Sequence, residues 1–354
     1  MALAPAALAA QPDRKGQAMA ARKTRFLDRA TEFAVTRLTS PEHESWLPLS
    51  PGRGVSRRGD AALATTRIED QRLLRWLEFG SGAGKVLAES PGFDPFTAAL
   101  TSDDRWIIAA DGVRLVAFQR QNLRQSTVAE LDPAKPLCAP LAPSADRVTV
   151  FLAQSSGGGS EIRSLRLGQD RNLVHHESAE PVDELAPNPR RALIAWRTRS
   201  GSVWIGGLDG SKSRKIETPG GRVLQFHWTA GGQSILYLLE PADSTKLVEI
   251  REQQVDSRGD EHVAKTSQFA SFAPNADASA FVGASRSKAS PHILLLLRKT
   301  MREMTLCEHG DDNAASCRPV FTPDSQSVLF TSSMHAKPAL YLVGVEKLIE
   351  KTPS

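Results

Sequence analysis

Short runs of apolar residues alternate with polar turns along almost the whole chain. In the stretch Pro319 to Val345, a Pro-Asp turn precedes the apolar run 327–330, a polar segment at 332–337 and a second apolar run at 339–343. Two strand-length runs rich in β-branched and aromatic residues, joined by a short polar loop, predict an antiparallel hairpin. This hairpin is one copy of a unit that recurs upstream.

The same order of turn, apolar run, hairpin and second apolar run occurs six more times. The seven turns begin at Val55, Thr101, Ala142, Ala186, Thr229, Ala273 and Thr322, at spacings of 46, 41, 44, 43, 44 and 49 residues. A period of roughly 40 to 50 residues is typical of a four-stranded propeller blade. The sequence therefore predicts an all-β fold, a seven-bladed β-propeller that forms one domain over residues 30–350.

The segment before the first repeat supplies a strand that the last repeat lacks. Phe33 to Thr39 alternates as a strand, whereas the last blade ends after Val345 to Ile349 without a full outer strand. Pairing of the N-terminal strand with the last blade closes the ring and removes the two edges of an open array. The alternative is an independent N-terminal hairpin.

Residues 1–29 are expected to form a leader or a polar arm that crosses the outside of the propeller. Met1 to Ala10 is small and apolar, and Ala7 to Gln11 resembles the end of a signal peptide, without the basic region that normally precedes one. This favours a clipped signal peptide and a periplasmic or secreted protein, with an Ala-rich tail and a cytoplasmic protein as the alternatives. No apolar stretch reaches the roughly 20 residues that span a bilayer, so membrane insertion is not expected.

The charge pattern bears on the class of partner. The formal net charge is +4 and the pI is about 9.0, but the arginines are spread over many turns. Nucleic-acid-binding proteins usually carry a clustered basic surface, so the pattern argues against a nucleic-acid partner. An anionic small ligand or saccharide fits dispersed arginines better.

The three cysteines show no zinc-binding pattern. Cys138, Cys307 and Cys317 have neither CxxC spacing nor a nearby histidine pattern. Cys138 is expected to be a small core residue. Cys307 and Cys317 flank one loop and would be able to form a disulfide in an oxidising compartment.

Other local patterns exclude more chemistry than they suggest. The glycine run 80–84 lacks the GxxxxGK[ST] order of a phosphate-binding loop, and 283–287 breaks the GxSxG pattern of serine hydrolases. The acidic stretch Glu308 to Asp312 contains one histidine and has two interpretations, a hard-cation site or a solvated loop. Glu252 to Thr266 is interpreted as a long polar insertion, of the kind that marks a binding face.

Two stretches resemble the oligogalacturonate lyases, polysaccharide lyase family 22. They are Asp28 to Thr39 near the start and Phe321 to Val343 in the last blade, and the resemblance spans most of the chain between them. It implies a seven-bladed propeller that cleaves short pectin fragments by β-elimination. The last blade is similar, almost as closely, to the repeats of the Tol-system periplasmic protein, which implies a non-catalytic propeller for protein interaction.

The lyase resemblance also implies a manganese site of histidines and a glutamine, several of them in a His-Pro-His-Pro stretch before the last-blade turn. In such a site the cation neutralises the uronate carboxylate and acidifies the C5 proton, which a basic side chain removes. The matching stretch here is Ser316-Cys317-Arg318-Pro319, and Ser271 stands where blade six would supply a histidine. Serine is a poor manganese ligand and arginine is none, so we assign no metal ligand.

Two interpretations of this substituted site remain. In one, Arg318 replaces the charge of the metal and pairs with a carboxylate of an anionic oligosaccharide, as a guanidinium does bidentately. In the other, catalysis is lost and the propeller is a binding module. The basic residue of the family is an arginine, with Arg190, Arg191, Arg197 and Arg199 as candidates. The expected substrate-binding residues are therefore Arg318, Arg190, Arg191 and Arg197, in a carbon-oxygen lyase or in a propeller that only binds oligogalacturonides.

Overall fold

The computed structural model describes residues 14–49, 54–169, 172–257 and 259–350, so the predictions for Met1 to Ala10 lie outside the described residues. These ranges contain thirty strands in seven sheets and one short 3-10 turn at Ala314–Ser316. No helix in them is long and apolar enough to cross a membrane. The prediction of an all-β, seven-bladed propeller is confirmed.

The strands follow one another in chain order, and the first three lie ahead of the first complete blade. These three are β1 (Ala18–Met19), β2 (Thr24–Leu27) and β3 (Ala34–Arg37). Blades one to three are formed by β4 (Glu44–Trp46), β5 (Ala61–Ile68), β6 (Gln71–Glu78), β7 (Gly84–Ser90), β8 (Ala99–Leu100), β9 (Trp106–Asp111), β10 (Arg114–Gln119), β11 (Gln125–Glu130), β12 (Ala142–Pro143), β13 (Thr149–Ser156), β14 (Gly159–Arg166) and β15 (Asn172–Ser178).

Blades four to seven repeat the same order of an inner strand followed by two or three further strands. They are formed by β16 (Val182–Pro187), β17 (Leu193–Thr198), β18 (Val203–Gly207), β19 (Arg214–Lys215), β20 (Arg222–Trp228), β21 (Ser234–Glu240), β22 (Glu249–Gln254), β23 (Asp260–Lys265), β24 (Phe269–Pro274), β25 (Ala280–Ser285), β26 (His292–Leu297), β27 (Arg302–Glu308), β28 (Val320–Phe321), β29 (Ser327–Ser332) and β30 (Ala339–Gly344). The inner strands line a central channel.

The ring closes through the N-terminal strand. The last sheet has the order β28-β29-β30-β3-β2, and β3 pairs antiparallel with β30 through Val35 opposite Val343 and Arg37 opposite Tyr341. The strand predicted at Phe33 to Thr39 is therefore the outer strand that blade seven lacks, and β2 adds a fifth. Closure through the sheet removes the edges that an open array would expose.

The seven predicted turns share one geometry between the first and second strand of each blade. In every copy the backbone N–H of the first turn residue donates to the carbonyl five residues later, at 2.8–3.1 Å. In six copies the residue three positions on is left-handed, with φ of 57–72°. The residues that donate in this way are Ser56, Thr101, Ser144, Asn188, Thr229, Asn275 and Thr322, which in four copies lie one or two positions after the predicted start of the turn. Short polar side chains suit this position because they hydrogen-bond to the turn backbone.

Each middle strand is buried on both of its faces. In β21, Ile235, Tyr237 and Leu239 pack against blade four, while Leu236 and Leu238 pack against blade six. Neighbouring blades therefore cover opposite faces of one strand, which explains why these strands are almost continuously apolar. The apolar run 292–297 is buried in the same way, but it is the third strand of blade six and not an inner one.

The interpretation of Glu252 to Thr266 as an insertion is wrong. This stretch contains the end of β22 and all of β23, the outer strands of blade five. On β22, Arg251 forms ion pairs with Glu249 at 2.8 Å and with Asp260 of β23 at 2.6 Å. The strands are polar because they lie at the outside of the ring, where paired charges replace apolar packing.

An N-terminal arm of residues 14–29 lies across the outside of blades one and seven. Arg14 forms an ion pair with Glu89 at 2.9 Å, and β1 pairs with β7. The Lys23 ammonium group donates to the carbonyl oxygens of Phe79 and Gly80 at 3.1 and 3.0 Å. The arm thereby adds a strand to each of the two blades that meet at the closure.

Candidate functional site

Four charged residues gather at one end of the central channel, and we call them the channel cluster: Asp183, Glu184, Arg197 and Arg318. The first two lie near the start of β16, and Arg197 lies opposite Glu184 on β17. Arg318 immediately precedes Pro319 and the inner strand β28. Arg318 interacts electrostatically with Glu184, Asp183 and Arg197, so the cluster links blade four to blade seven.

Arg197 is held between two carboxylates. Its Nε donates to Oε2 of Glu184 at 3.0 Å, and its Nη2 lies 3.1 Å from Oδ1 of Asp183. The side chains of Glu184 and Arg197 are only 9% and 12% exposed, whereas that of Asp183 is 30% exposed. Pairs so far removed from water are held more rigidly than surface ion pairs.

Arg318 occupies an unusual backbone conformation. Its φ is +37°, and it precedes a proline, which restricts the residue before it. Non-glycine residues held in sparsely populated regions concentrate at functional sites. The one side-chain hydrogen bond found for Arg318 within the described ranges runs from Nη1 to the carbonyl oxygen of Leu49, at 3.3 Å. The guanidinium therefore retains donors for a ligand.

A cavity of about 320 Å³ lies against Arg318. Its wall includes Ser316, Leu47, Pro48 and Phe96. Leu47 to Leu49 follow β4, and the inner edge of blade one resumes at Val55, which bridges to Ala62. An interruption of the inner strand of blade one thus forms one side of this cavity.

Burial dominates the electrostatics of the channel cluster. It raises the pKa of the Glu184 and Asp183 carboxyls, although Arg197 and Arg318 both oppose the shift. Burial also lowers the pKa of the Arg318 guanidinium, against the attraction of Glu184 and Asp183. Desolvation disfavours the charged form of either type of group. The two guanidinium groups and the two carboxylates together balance their formal charges.

A second cavity of about 240 Å³ lies along the inner strands of blades three to five. Its wall includes Glu184, Pro187, His227 and Trp228. The His227 Nε2 lies 2.8 Å from the carbonyl oxygen of Phe272, which only accepts, so Nε2 carries the proton. Burial lowers the pKa of His227 to about 4. The imidazole is neutral at physiological pH, with an unprotonated Nδ1.

The four arginines predicted to bind substrate do not come together. Arg318 and Arg197 belong to the channel cluster. Arg190 and Arg191 lie in the turn after β16, at the opposite end of that strand, and their backbone N–H groups donate to Oδ1 of Asn188. They follow Glu184 by six and seven residues, and β16 ends at Pro187 between them and Glu184, so they lie beyond the far end of that strand. Arg191 forms a bidentate pair with Asp256.

The three positions matched to metal ligands do not form a manganese site. Ser316 is exposed, and its hydroxyl donates to the carbonyl oxygen of Asn313 at 2.7 Å. Ser271 lies on β24 with its hydroxyl buried and without a hydrogen-bond partner in the described residues. Arg318 brings a positive charge. Carboxylate and carbonyl oxygens suit manganese, and these three side chains offer neither, so they do not fit it.

One group of His, Asp and Cys side chains in the described ranges has ligand atoms within 4.8 Å of one another: His309, Asp311 and Cys317. Their atoms are engaged internally. His309 Nε2 lies 2.9 Å from the Ser285 carbonyl oxygen, and its Nδ1 accepts from the backbone N–H of Asp311 at 3.1 Å. The Cys317 thiol donates to Asp311 at 3.2 Å. We interpret the group as a structural hydrogen-bond network.

Sequence reasoning identified the arginines of the channel cluster but not its acidic residues or His227. The sequence did contain a signal for the acidic residues, because Asp183 and Glu184 interrupt an apolar inner strand shortly before Asn188. Since all seven inner strands lie at the channel, charged residues at the start of one of them mark a candidate site there. His227 carried no such signal, because its hydrogen-bond partner is the backbone carbonyl of Phe272, which any residue type would supply.

A scan against models of known protein families finds no match. Among curated proteins, the oligogalacturonide lyase of Pectobacterium atrosepticum is 25% identical over 166 residues. The match covers 40% of this chain and 42% of that protein, so it spans less than half the length of the relative.

Solved structures match far more of the chain. An oligogalacturonate lyase in complex with manganese and the oligogalacturonate lyase of Vibrio parahaemolyticus both superpose with a TM-score of 0.85 at 18% identity. They cover 93% and 94% of this chain, and 98% of their own chains. TolB from Acinetobacter baumannii reaches a TM-score of 0.49, too low to support an argument. The resemblance to oligogalacturonate lyase is confirmed, and the chain has the fold of those enzymes.

Proposed function

We propose that this protein binds short uronate oligosaccharides at the channel cluster, without a metal ion and without cleaving them. The observation that carries the proposal is Arg318, whose guanidinium makes one hydrogen bond beside a cavity of about 320 Å³. Ligand pockets commonly measure about 300–1,000 Å³. The space suits one or two sugar rings of a longer chain.

The chemistry of the guanidinium supports a carboxylate ligand. Its planar set of donors matches the two oxygens of a carboxylate, and the partly desolvated position strengthens such a contact. A solved protein of this fold is described as a complex with manganese. Here the matched side chains do not fit that ion, so Arg318 supplies the positive charge towards the ligand.

Binding without cleavage follows from the basic groups present. β-Elimination requires a base at the C5 proton, and the family resemblance implies an arginine in that role. Arg197 already binds Glu184 and Asp183 through its Nε and Nη2, so these donors are occupied by carboxylates of the protein. His227 has a free Nδ1, but a pKa of about 4 makes it a weak base.

Calorimetric titration of trigalacturonate into the purified protein, with and without chelator, tests the proposal. We expect binding that survives chelation and weakens as salt concentration rises, because the contact is charge-assisted. Arg318→Ala should weaken binding by about 1.5–3 kcal/mol, the range for a hydrogen bond to a charged group. Arg190→Ala is the matched control, since Arg190 is exposed at the opposite end of β16.

Three outcomes contradict the proposal in different ways. Equal affinity in the parent and in Arg318→Ala removes the arginine from the site. Binding that disappears when chelator is added shows that the ligand binds through a metal ion. Growth of the ultraviolet absorbance of a 4,5-unsaturated product, with or without added manganese, shows that the protein is an active lyase.

A further inference from the structure

The channel cluster contains its own carboxylates, and they occupy the groups that a uronate would use. The Glu184 carboxylate accepts from Nε of Arg197 at 3.0 Å, and the Asp183 carboxylate lies 3.1 Å from Nη2 of the same guanidinium. Both carboxylates also act electrostatically on Arg318. An incoming carboxylate therefore enters a site whose positive charges are already balanced.

We infer that Glu184, assisted by Asp183, is an internal competitor of the ligand carboxylate and sets both the affinity of the site and its pH dependence. The inference rests on the proposed function, because it concerns the same two arginines. Glu184 is the stronger competitor, since it is 7% exposed and its position opposite Arg197 is fixed by strand pairing. Asp183 is more exposed, so water screens it more.

The sign of the pH dependence follows from the groups that face Glu184. These are Asp183 on the same strand, Arg197 on β17, His227 on β20 and Arg318 ahead of β28. Arg199, just after β17, acts on Asp183. A guanidinium is ordinarily protonated over the whole physiological pH range, and the His227 imidazole stays neutral above about pH 4. The two carboxyls are thus the groups that change charge between pH 4 and neutrality.

Acidification should release the arginines before it neutralises the ligand. Burial raises the pKa of Glu184 and Asp183, so they take up protons above the pH at which ordinary carboxyls do. A uronate carboxyl, which sits beside an electron-withdrawing ring oxygen, has a pKa of about 3.5, close to that of an α-carboxyl. Between these values the ligand is anionic while its competitors are neutral, so affinity should rise as pH falls from 7.5 towards 5.

The experiment measures trigalacturonate affinity calorimetrically from pH 4.5 to 8 in the parent, Glu184→Gln and Asp183→Asn. We expect Glu184→Gln to bind about tenfold more tightly than the parent at pH 7.5, because the amide removes the stronger of the two negative charges that oppose Arg197. It should also show a flatter pH profile. Asp183→Asn should change both quantities less. Glu249→Gln, which breaks an ion pair on the outer strands of blade five, is the control.

The outcomes separate this inference from the function on which it rests. Parent affinity that is constant over the pH range, or weaker binding by Glu184→Gln, overturns the competition while leaving uronate binding intact. Absence of binding in every protein at every pH overturns the proposed function and the competition together. The pH series on the parent needs no variant, so it decides the question even if Glu184→Gln fails to fold.

Discussion

Val35 lies directly opposite Val343 in the strand pair that closes the ring, and both side chains are fully buried. Deletion of residues 33–39 should expose the edge of β30 and cause aggregation or a large fall in melting temperature. Val35→Ala should cost about 2 kcal/mol through lost methyl groups and the space they leave. Urea unfolding with Thr36→Ala as control measures the cost, and a deletion variant that melts like the parent contradicts the closure.

The shared turn geometry predicts that gaining a glycine at one turn and losing one at the equivalent position of another have opposite effects on stability. Arg147 is exposed and left-handed, with φ of 72°, and Gly232 occupies the same position in blade five with φ of 68°. A left-handed L-residue costs roughly 1–2 kcal/mol, partly offset by the flexibility that glycine adds to the unfolded chain. Arg147→Gly should therefore stabilise the fold by about 0.5 kcal/mol.

Gly232→Ala should destabilise the fold by at least about 1 kcal/mol for the same backbone reason. An added Cβ would also lie 2.2 Å from Oδ1 of Asn188, which links the turns of blades four and five. Chemical denaturation of the two variants side by side checks the pair. A stabilised Gly232→Ala protein would show that the repeated turn does not require its left-handed residue.

Thiol labelling tests the expectation that Cys307 and Cys317 form a disulfide. All three cysteines are free in the structure, and Cys307 and Cys317 are 0% and 1% exposed. Burial raises the pKa of both thiols well above the usual value. An aromatic disulfide reagent at pH 8 should therefore label at most Cys138 slowly in the native protein, and three thiols after unfolding. Labelling of a single thiol in denaturant would demonstrate a Cys307–Cys317 disulfide.

His227 makes stability depend on pH in the acid range. Its folded-state pKa of about 4 lies below the usual 6.5, so the unfolded chain binds a proton that the folded protein excludes. This contribution is fully present above pH 6.5 and is lost as pH falls towards 4. His227→Gln, which retains a donor for the Phe272 carbonyl, should flatten that loss. His262→Gln on the exposed outer strand β23 is the control, measured by urea unfolding at pH 4.5, 5.5 and 7.

The sequence predicts the ring better than the channel. Turn residues such as Thr101 and Thr322 recur with a fixed local role, and hydrogen bonds within six residues suffice to define them. The closing strand was also predictable, since Phe33 to Thr39 has the alternation that the last blade lacks. Both signals are local or nearly periodic, and periodicity is what a single sequence displays most clearly.

The candidate site is formed by residues that differ from one blade to the next, and a repeat pattern does not show which of these residues come together. Arg191 and Arg197 are six residues apart, yet one belongs to an exterior turn and the other to the channel cluster. The pairing of β16 with β17 places Arg197 opposite Glu184 and leaves Arg191 in the turn between the two strands. The polar strands of blade five were missed for a related reason. Arg251 and Asp260 neutralise each other across a strand pair, which a linear sequence does not show.

The closing pair joins residues that are made far apart in time during synthesis. The backbone N–H of Leu340 donates to the hydroxyl of Thr39, 301 positions earlier in the chain. On the ribosome, β3 is therefore made about 300 residues before its partner strand β30. Blade seven therefore cannot assemble until β30 has been made, and before then β3 lacks its partner in that sheet and is accessible to chaperones and to neighbouring nascent chains.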